Sequence, residues 1–168
     1  MNKKIQSKKF EIRKANVSDA SIILGFIREL AEYEKLLDQV VATEESLKET
    51  LFGKKPFAEV IIGEVNSQPV AFAIFFHNYS TFLGKPGLYL EDLYVNQEWR
   101  GHGFGKIMLS YLAKIAVERN CGRMEWWVLD WNEPAIEFYK KIGARPMSEW
   151  TVQRLEGDSL KKLAKELG

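Results

Sequence analysis

Cysteine and histidine are scarce: Cys121, His77 and His102 are the only residues of either type in the chain. One cysteine excludes an intrachain disulfide, and this usage suits a reducing compartment. Two scattered histidines lack the spacing of a metal site, so no metal is expected. An excess of charge of one sign is lacking too. Lys and Arg total 24 against 23 Asp and Glu, which leaves no strong field to gather nucleic acid or an anionic membrane, and neither is expected as a partner. The longest apolar run, Val70 to Phe76, is far short of the ~20 residues that cross a bilayer. The first residues show no apolar stretch of a signal peptide. The resulting expectation is a cytoplasmic protein.

What remains is ordinary globular material, 168 residues with 46% hydrophobic and 28% charged. That length suits one hydrophobic core. Residues 1–8 read as a solvated basic tail, with Lys3, Lys4 and Lys8 running on into Lys9, and residues 9–168 as a single domain. Residues 9–14 alternate as a strand does. Ser18 and Asp19 then offer a helix N-cap, and Ile22, Phe26, Leu30, Tyr33 and Leu37 recur at helical spacing over about five turns. A second helix is expected from Thr43, with Glu44 and Glu45 in its first turn.

Residues 57–65 and 69–77 read as two strands joined by an Asn66-Ser67-Gln68 turn, 80–87 as a loop and 88–95 as a third strand. A helix follows, with Ile107, Met108, Tyr111, Leu112 and Ile115 on one face. Residues 123–130 read as a strand and 133–141 as a helix with Pro134 in its first turn and Gly143 at its end. A strand over 147–155 and a helix over 158–166 complete the pattern. The order β-α-α-β-β-β-α-β-α-β-α implies an α/β (α+β) fold with a mixed sheet, mostly antiparallel with one β-α-β crossover and flanking helices.

The informative segment is Leu88 to Lys106. A strand ends and Arg100-Gly101-His102-Gly103-Phe104-Gly105 opens a helix. Glycines admit a ligand close to the backbone, and a helix N-terminus offers unpaired N–H groups and positive partial charge. Together they read as a pyrophosphate cradle. A Walker A loop would need glycine where Arg100 stands and a hydroxyl where Ile107 stands. A dinucleotide fingerprint starting at Gly101 would need glycine at Lys106, and one starting at Gly103 would need it at Met108. Both readings fail.

The remaining pattern, Arg-Gly-x-Gly-x-Gly, resembles the acetyl-CoA signature of the GNAT acetyltransferase superfamily. Further segments look like the spermidine/spermine acetyltransferase group: residues 28–34, 89–95, Trp131-Asn132-Glu133-Pro134-Ala135, 138–141 and Gly143-Ala144. Tyr79-Ser80-Thr81 and Val128-Leu129-Asp130-Trp131-Asn132 are closer to its thialysine N-epsilon-acetyltransferase branch. The resemblance spans residues 10 to 155. It implies a GNAT fold, acetyl-CoA as co-substrate, a small cationic amine as partner, and a homodimer.

The resemblance also implies roles for residues. Glu91 stands where the family has a base that helps deprotonate the amine, and Tyr139 where it has its catalytic acid. Leu93, Tyr94 and Val95 match the strand that holds the thioester and pantetheine, with the Leu93 and Val95 N–H groups freed by a bulge. Arg100, Gly101, His102, Gly103, Phe104, Gly105 and Lys106 match the pyrophosphate loop, and Asn132, Glu133, Pro134 and Ala135 the second co-substrate segment. Carboxylates beside aromatic faces suit an alkylammonium. On that ground Glu34, Glu91, Asp92 and Glu149, with Tyr33, Trp126, Trp127 and Trp150, are candidate substrate contacts. By strand alternation one of Trp126 and Trp127 at most faces the cleft, and Glu91 and Asp92 point to opposite faces.

The sequence departs from polyamine acetyltransferases at the substrate end, with Ser80-Thr81-Phe82 and Ser148-Glu149-Trp150 in place of family motifs. A protein or peptide acetyltransferase and an inactive acetyl-CoA sensor stand as alternatives.

Overall fold

A computed structural model describes residues 9–167. The basic run Lys3, Lys4 and Lys8 lies outside the described residues. The chain divides into two compact units, one ending at Trp127 and the other beginning at Val128.

The first unit is built on five strands in the order β1-β2-β3-β4-β5. These are β1 (Phe10–Lys14), β2 (Glu59–Val65), β3 (Gln68–Ser80), β4 (Lys85–Val95) and β5 (Arg123–Glu125). The first four pair antiparallel, and β5 joins β4 in parallel after a crossover through α3 (Phe104–Glu118). The β2–β3 turn is a two-residue loop in which Asn66 and Ser67 have φ of 51° and 64°. Positive φ at both central residues matches the twist of the flanking strands. The loop expected over 80–87 is shorter, because β3 runs to Ser80 and β4 starts at Lys85, which leaves 81–84 as the turn between them.

Alternation assigns the two faces of the sheet. Phe72, Ile74 and Tyr94 pack with Ile23 and Phe26 of α1 (Ala20–Tyr33) and Leu47 of α2 (Glu44–Phe52). Phe75 points the other way and lies under Arg119 at the end of α3. There α3 buries Met108, Leu109, Leu112 and Ile115. Each fully buried Ile, Leu or Phe contributes about 1.5–3 kcal/mol.

Local chemistry sets the helix ends. Thr43 caps α2 through a reciprocal pair with Ser46. Asp19 precedes α1 without capping it by its side chain. Its carboxylate is drawn instead to Arg13, at 2.8 Å on both oxygens, and to the Asn16 N–H. The Arg13 guanidinium holds the Asp19 carboxyl below the usual carboxylate range. The first helix stops at Tyr33, short of the five turns its apolar stripe suggests. Lys35 turns left-handed, with φ of 62°. The Leu36 N–H then reaches the Ala31 carbonyl at 2.8 Å and the Lys35 N–H the Glu32 carbonyl at 3.1 Å. That is a Schellman cap, and it fixes Glu34 as the last residue before the turn.

In the second unit, α4 (Glu133–Lys141) begins at Asn132, whose side chain accepts from the Ala135 N–H. It ends in a Schellman cap at Gly143, φ 89°. Residues 147–155 form no strand among the described residues, since strand-forming composition needs a ladder partner. The strand expected over 123–130 pairs only through Glu125. A last helix, α5 (Gly157–Ala164), follows. Among the described residues no helix is long and apolar enough to cross a membrane.

Candidate active site

The site begins with a fork. β4 and β5 pair only at Gly87–Tyr89 with Arg123–Glu125. Beyond Tyr89, β4 continues to Val95 with β3 on one side and, among the described residues, no strand on the other. The Asn96 N–H donates to the Val70 carbonyl at 2.9 Å, toward β3. Counting back by the strand period, the N–H groups of Leu93 and Val95 face the open edge.

The glycine loop continues that edge. Gly101 and Gly103 have φ of 79° and 81°, which L side chains rarely adopt. Gly103 precedes α3 with no side-chain cap. The Ile107 N–H to the Gly103 carbonyl, 3.1 Å, is the first α3 ladder bond. The N–H groups of Phe104, Gly105 and Lys106 therefore lie ahead of the ladder, where the helix dipole favours an anion. A side chain at Gly105 would bring its Cβ to 4.0 Å from Val95 Cγ2, so the loop abuts the end of β4. Phe104 anchors it, buried and stacked on Phe10 at 4.2 Å. His102 folds back on the loop, its Nδ1 3.1 Å from the Arg100 carbonyl. The edge thus offers amide donors along β4, followed by a cluster of N–H groups that suits an anion.

On the α1 face a bulge reorganises the acidic residues. Ile74 pairs with Asp92 and Phe75 with Leu90, leaving Glu91 as an extra residue. A bulge breaks the period of two, so the opposite-faces expectation for Glu91 and Asp92 loses its premise. It also lies two residues before Leu93, ahead of the freed N–H groups. Asp92 shares the face of Ile74 and Tyr94. Burial, then Glu91, then Glu34 push its carboxyl up to about 6. Glu34, half-buried at the end of α1, is also raised by burial. Glu91 is exposed.

Two aromatic rings join this face. Burial, with Glu91 and Glu125 nearby, pushes the Tyr89 phenol up to about 12. Trp127 sets its edge against Tyr89 at 6.0 Å. Tyr89 and Glu125 escape the sequence reading, although Tyr89 is two residues before Glu91 and Glu125 follows once β5 is in register with β4. Trp126 is half-buried. Tyr33 lies under the guanidinium of Arg100. Among the described residues no group of three or more His, Cys, Asp and Glu could hold a metal ion.

In the second unit, Asn132 caps α4, with Glu133, Pro134 and Ala135 forming its first turn. Tyr139 is half-buried, and burial raises its phenol above the ordinary value. Glu149 and Trp150 are exposed on a turn closed by the Trp150 N–H to the Met147 carbonyl at 3.1 Å.

A measurable consequence attaches to Asp92. The folded protein holds this proton more tightly than the unfolded chain, whose Asp titrates near ~3.9. Its contribution to stability is full below that pH and is lost as pH rises through about 6. Asp92→Asn is therefore expected to stabilise the fold at pH 8 by about 1–2 kcal/mol. Thermal melts from pH 4 to 8 check this: the gap between variant and wild type must widen toward pH 8, and parallel curves would refute it.

Residues 27–144 match the acetyltransferase (GNAT) family. The thialysine N-epsilon-acetyltransferase of Bos taurus is 40% identical over 164 residues, covering 91% of this chain and 96% of that protein. The human spermidine/spermine N(1)-acetyltransferase-like protein 1 is 36% identical over 167 residues, 94% of this chain and 24% of that longer protein. Among solved structures, an integron cassette protein from the mobile metagenome of V. cholerae superposes with a TM-score of 0.78 at 29% identity, over 93% of this chain and 98% of that one.

Proposed function

The chain belongs to the GNAT acetyltransferase family, and from that premise we propose that it moves the acetyl group of acetyl-CoA to a primary amine of a small cationic acceptor, a polyamine, diamine or thialysine-like molecule. The observation that carries the proposal is the content of β4. One strand bears the open N–H groups of Leu93 and Val95 and, directly before them, Glu91 and Asp92. Amide donors and an amine-binding carboxylate pair thus adjoin.

Acetyl-CoA supplies an activated acetyl group as a thioester. The Leu93 and Val95 N–H groups polarise an acyl oxygen on the open edge. Residues Gly101 to Lys106 bind the pyrophosphate with Arg100 at the loop's start, and Asn132 to Ala135 form the second binding segment. Glu91 takes a proton from the acceptor through water, because an alkylammonium has no lone pair. Tyr139 gives a proton to the departing sulfur. The amine attacks directly, with no covalent enzyme intermediate. Asp92 and Glu34 receive the acceptor's second charge. The reading extends to a cytoplasmic homodimer in which residues 9–168 work as one catalytic domain.

The test of the acceptor class is a pair of equal-length substrates, a diamine and the monoamine lacking its second nitrogen. The monoamine is expected to show a KM about tenfold or more higher at similar kcat. Equal KM values would remove the second-cation site. A lysine peptide that outperforms every free amine would favour protein acetylation instead.

A further inference from the structure

Arg100 opens the glycine loop, yet its guanidinium is turned toward α1. Its Nε–H donates to the Val95 carbonyl at 3.2 Å. Its central carbon lies 4.5 Å from the centroid of the Tyr33 ring and 5.4 Å from that of Tyr94. Tyr94 is buried and tilts against Phe26 of α1 at 6.3 Å. The Asn96 Nδ2–H donates to Glu29 Oε2 at 2.5 Å, a second link from the end of β4 to α1. The cleft here, about 600 Å³, has Glu29, Glu32 and Glu98 in its walls. Carboxylate walls repel a pyrophosphate and welcome a guanidinium. The N–H cluster that suits an anion belongs to the start of α3.

We propose that Arg100 is a positioning residue: stacked on Tyr33 and Tyr94, it ties the glycine loop to α1 and so sets the loop's conformation for acetyl-CoA. The inference rests on the reading that this loop binds acetyl-CoA. Tyr33 is the last residue of α1 and Glu34 follows it, so one helix end anchors the co-substrate loop and carries an amine-site carboxylate. The tie moves Tyr33 from the amine's contacts to the co-substrate side. Charge alone does not make the tie. Arginine offers a flat delocalised face and a fixed fork of donors, which lysine lacks.

The experiment measures acetyl-CoA affinity by calorimetry on the full chain for wild type, Tyr33→Phe, Tyr33→Leu, Arg100→Lys and the Tyr33→Leu/Arg100→Lys double variant, alongside the amine KM at saturating acetyl-CoA. Tyr33→Phe keeps the ring and is expected within about twofold of wild type. Tyr33→Leu and Arg100→Lys are each expected to bind about three- to tenfold more weakly. The double variant should bind no more weakly than the worse single one, since both remove one interaction. The amine KM should not move. Arg100→Lys binding like wild type, additive losses, or a Tyr33→Leu effect confined to the amine KM would each overturn the tie. A wild type that binds no acetyl-CoA overturns the functional reading and the tie with it, whereas a wild type and a Tyr33→Leu variant that bind equally well overturn the tie alone.

Discussion

Tyr139→Phe is expected to lower kcat by about 10²-fold while acetyl-CoA affinity stays near the wild-type value. The sequence prepares this residue in steps. Asn132 starts α4 and Pro134 sits in its first turn, where a missing N–H costs nothing. Gly143 ends it: the Ala144 N–H donates to the Tyr139 carbonyl and the Gly143 N–H to the Lys140 carbonyl, both at 3.0 Å. Tyr139 is thus three residues from the cap, its backbone held at the rigid end of the helix. Burial raises its phenol, so it stays protonated at neutral and mildly alkaline pH and can donate to a thiolate. Phenylalanine keeps the ring and deletes the hydroxyl that carries the proton. Steady-state kinetics with a parallel binding measurement separates the roles: a fall in affinity with kcat intact would make Tyr139 a binding residue, and unchanged kcat would remove it from the mechanism.

Glu91→Gln is expected to lose about 10²-fold in kcat/KM near pH 7, with the deficit shrinking as pH approaches the acceptor's own pKa. The reason is the amine. Near neutrality an alkylammonium with pKa near ~10.4 is almost fully protonated, and a base is needed in proportion to the protonated fraction. At high pH the free amine arrives ready to attack and the base matters less. As the extra residue between Leu90 and Asp92, Glu91 escapes the tight pairing of its neighbours. A pH-rate profile of the variant parallel to that of wild type would show that Glu91 acts by charge or shape instead.

Glycines, alternation and capping residues made much of the fold legible. The Asn66-Ser67 turn, the Thr43 start of α2 and the Gly143 end of α4 are local devices whose residue types carry their conformations. Other features depend on partners that a linear reading cannot see. Lys35 ends α1 in a left-handed conformation that a side chain adopts at a cost of about 1 kcal/mol, and nothing in its type announces that. The strand expected at 147–155 has the composition but no ladder, and the segment after Glu125 leaves β4 to open the fork.

The candidate site divides the same way. The glycine loop and the Glu91-Asp92 pair stand out by composition. The electrostatic grouping of Asp92 with Glu34 joins residues from two elements and needs the packed structure. Tyr33 reads as a substrate ring because a tyrosine beside a glutamate suits a cation, and only the packed structure shows the protein's own Arg100 lying over that ring.

The central claim is acetyl transfer to a small cationic amine. Free-thiol release from acetyl-CoA across spermidine, spermine, putrescine, thialysine, lysine and a lysine peptide, with the product mass read in each case, tests it most directly. The account predicts release with at least one small cationic amine, one acetylated amine formed per thiol, and no acetyl group left on the protein. Acetyl-CoA binding without thiol release for any acceptor, or an acetylated protein as the product, would contradict it.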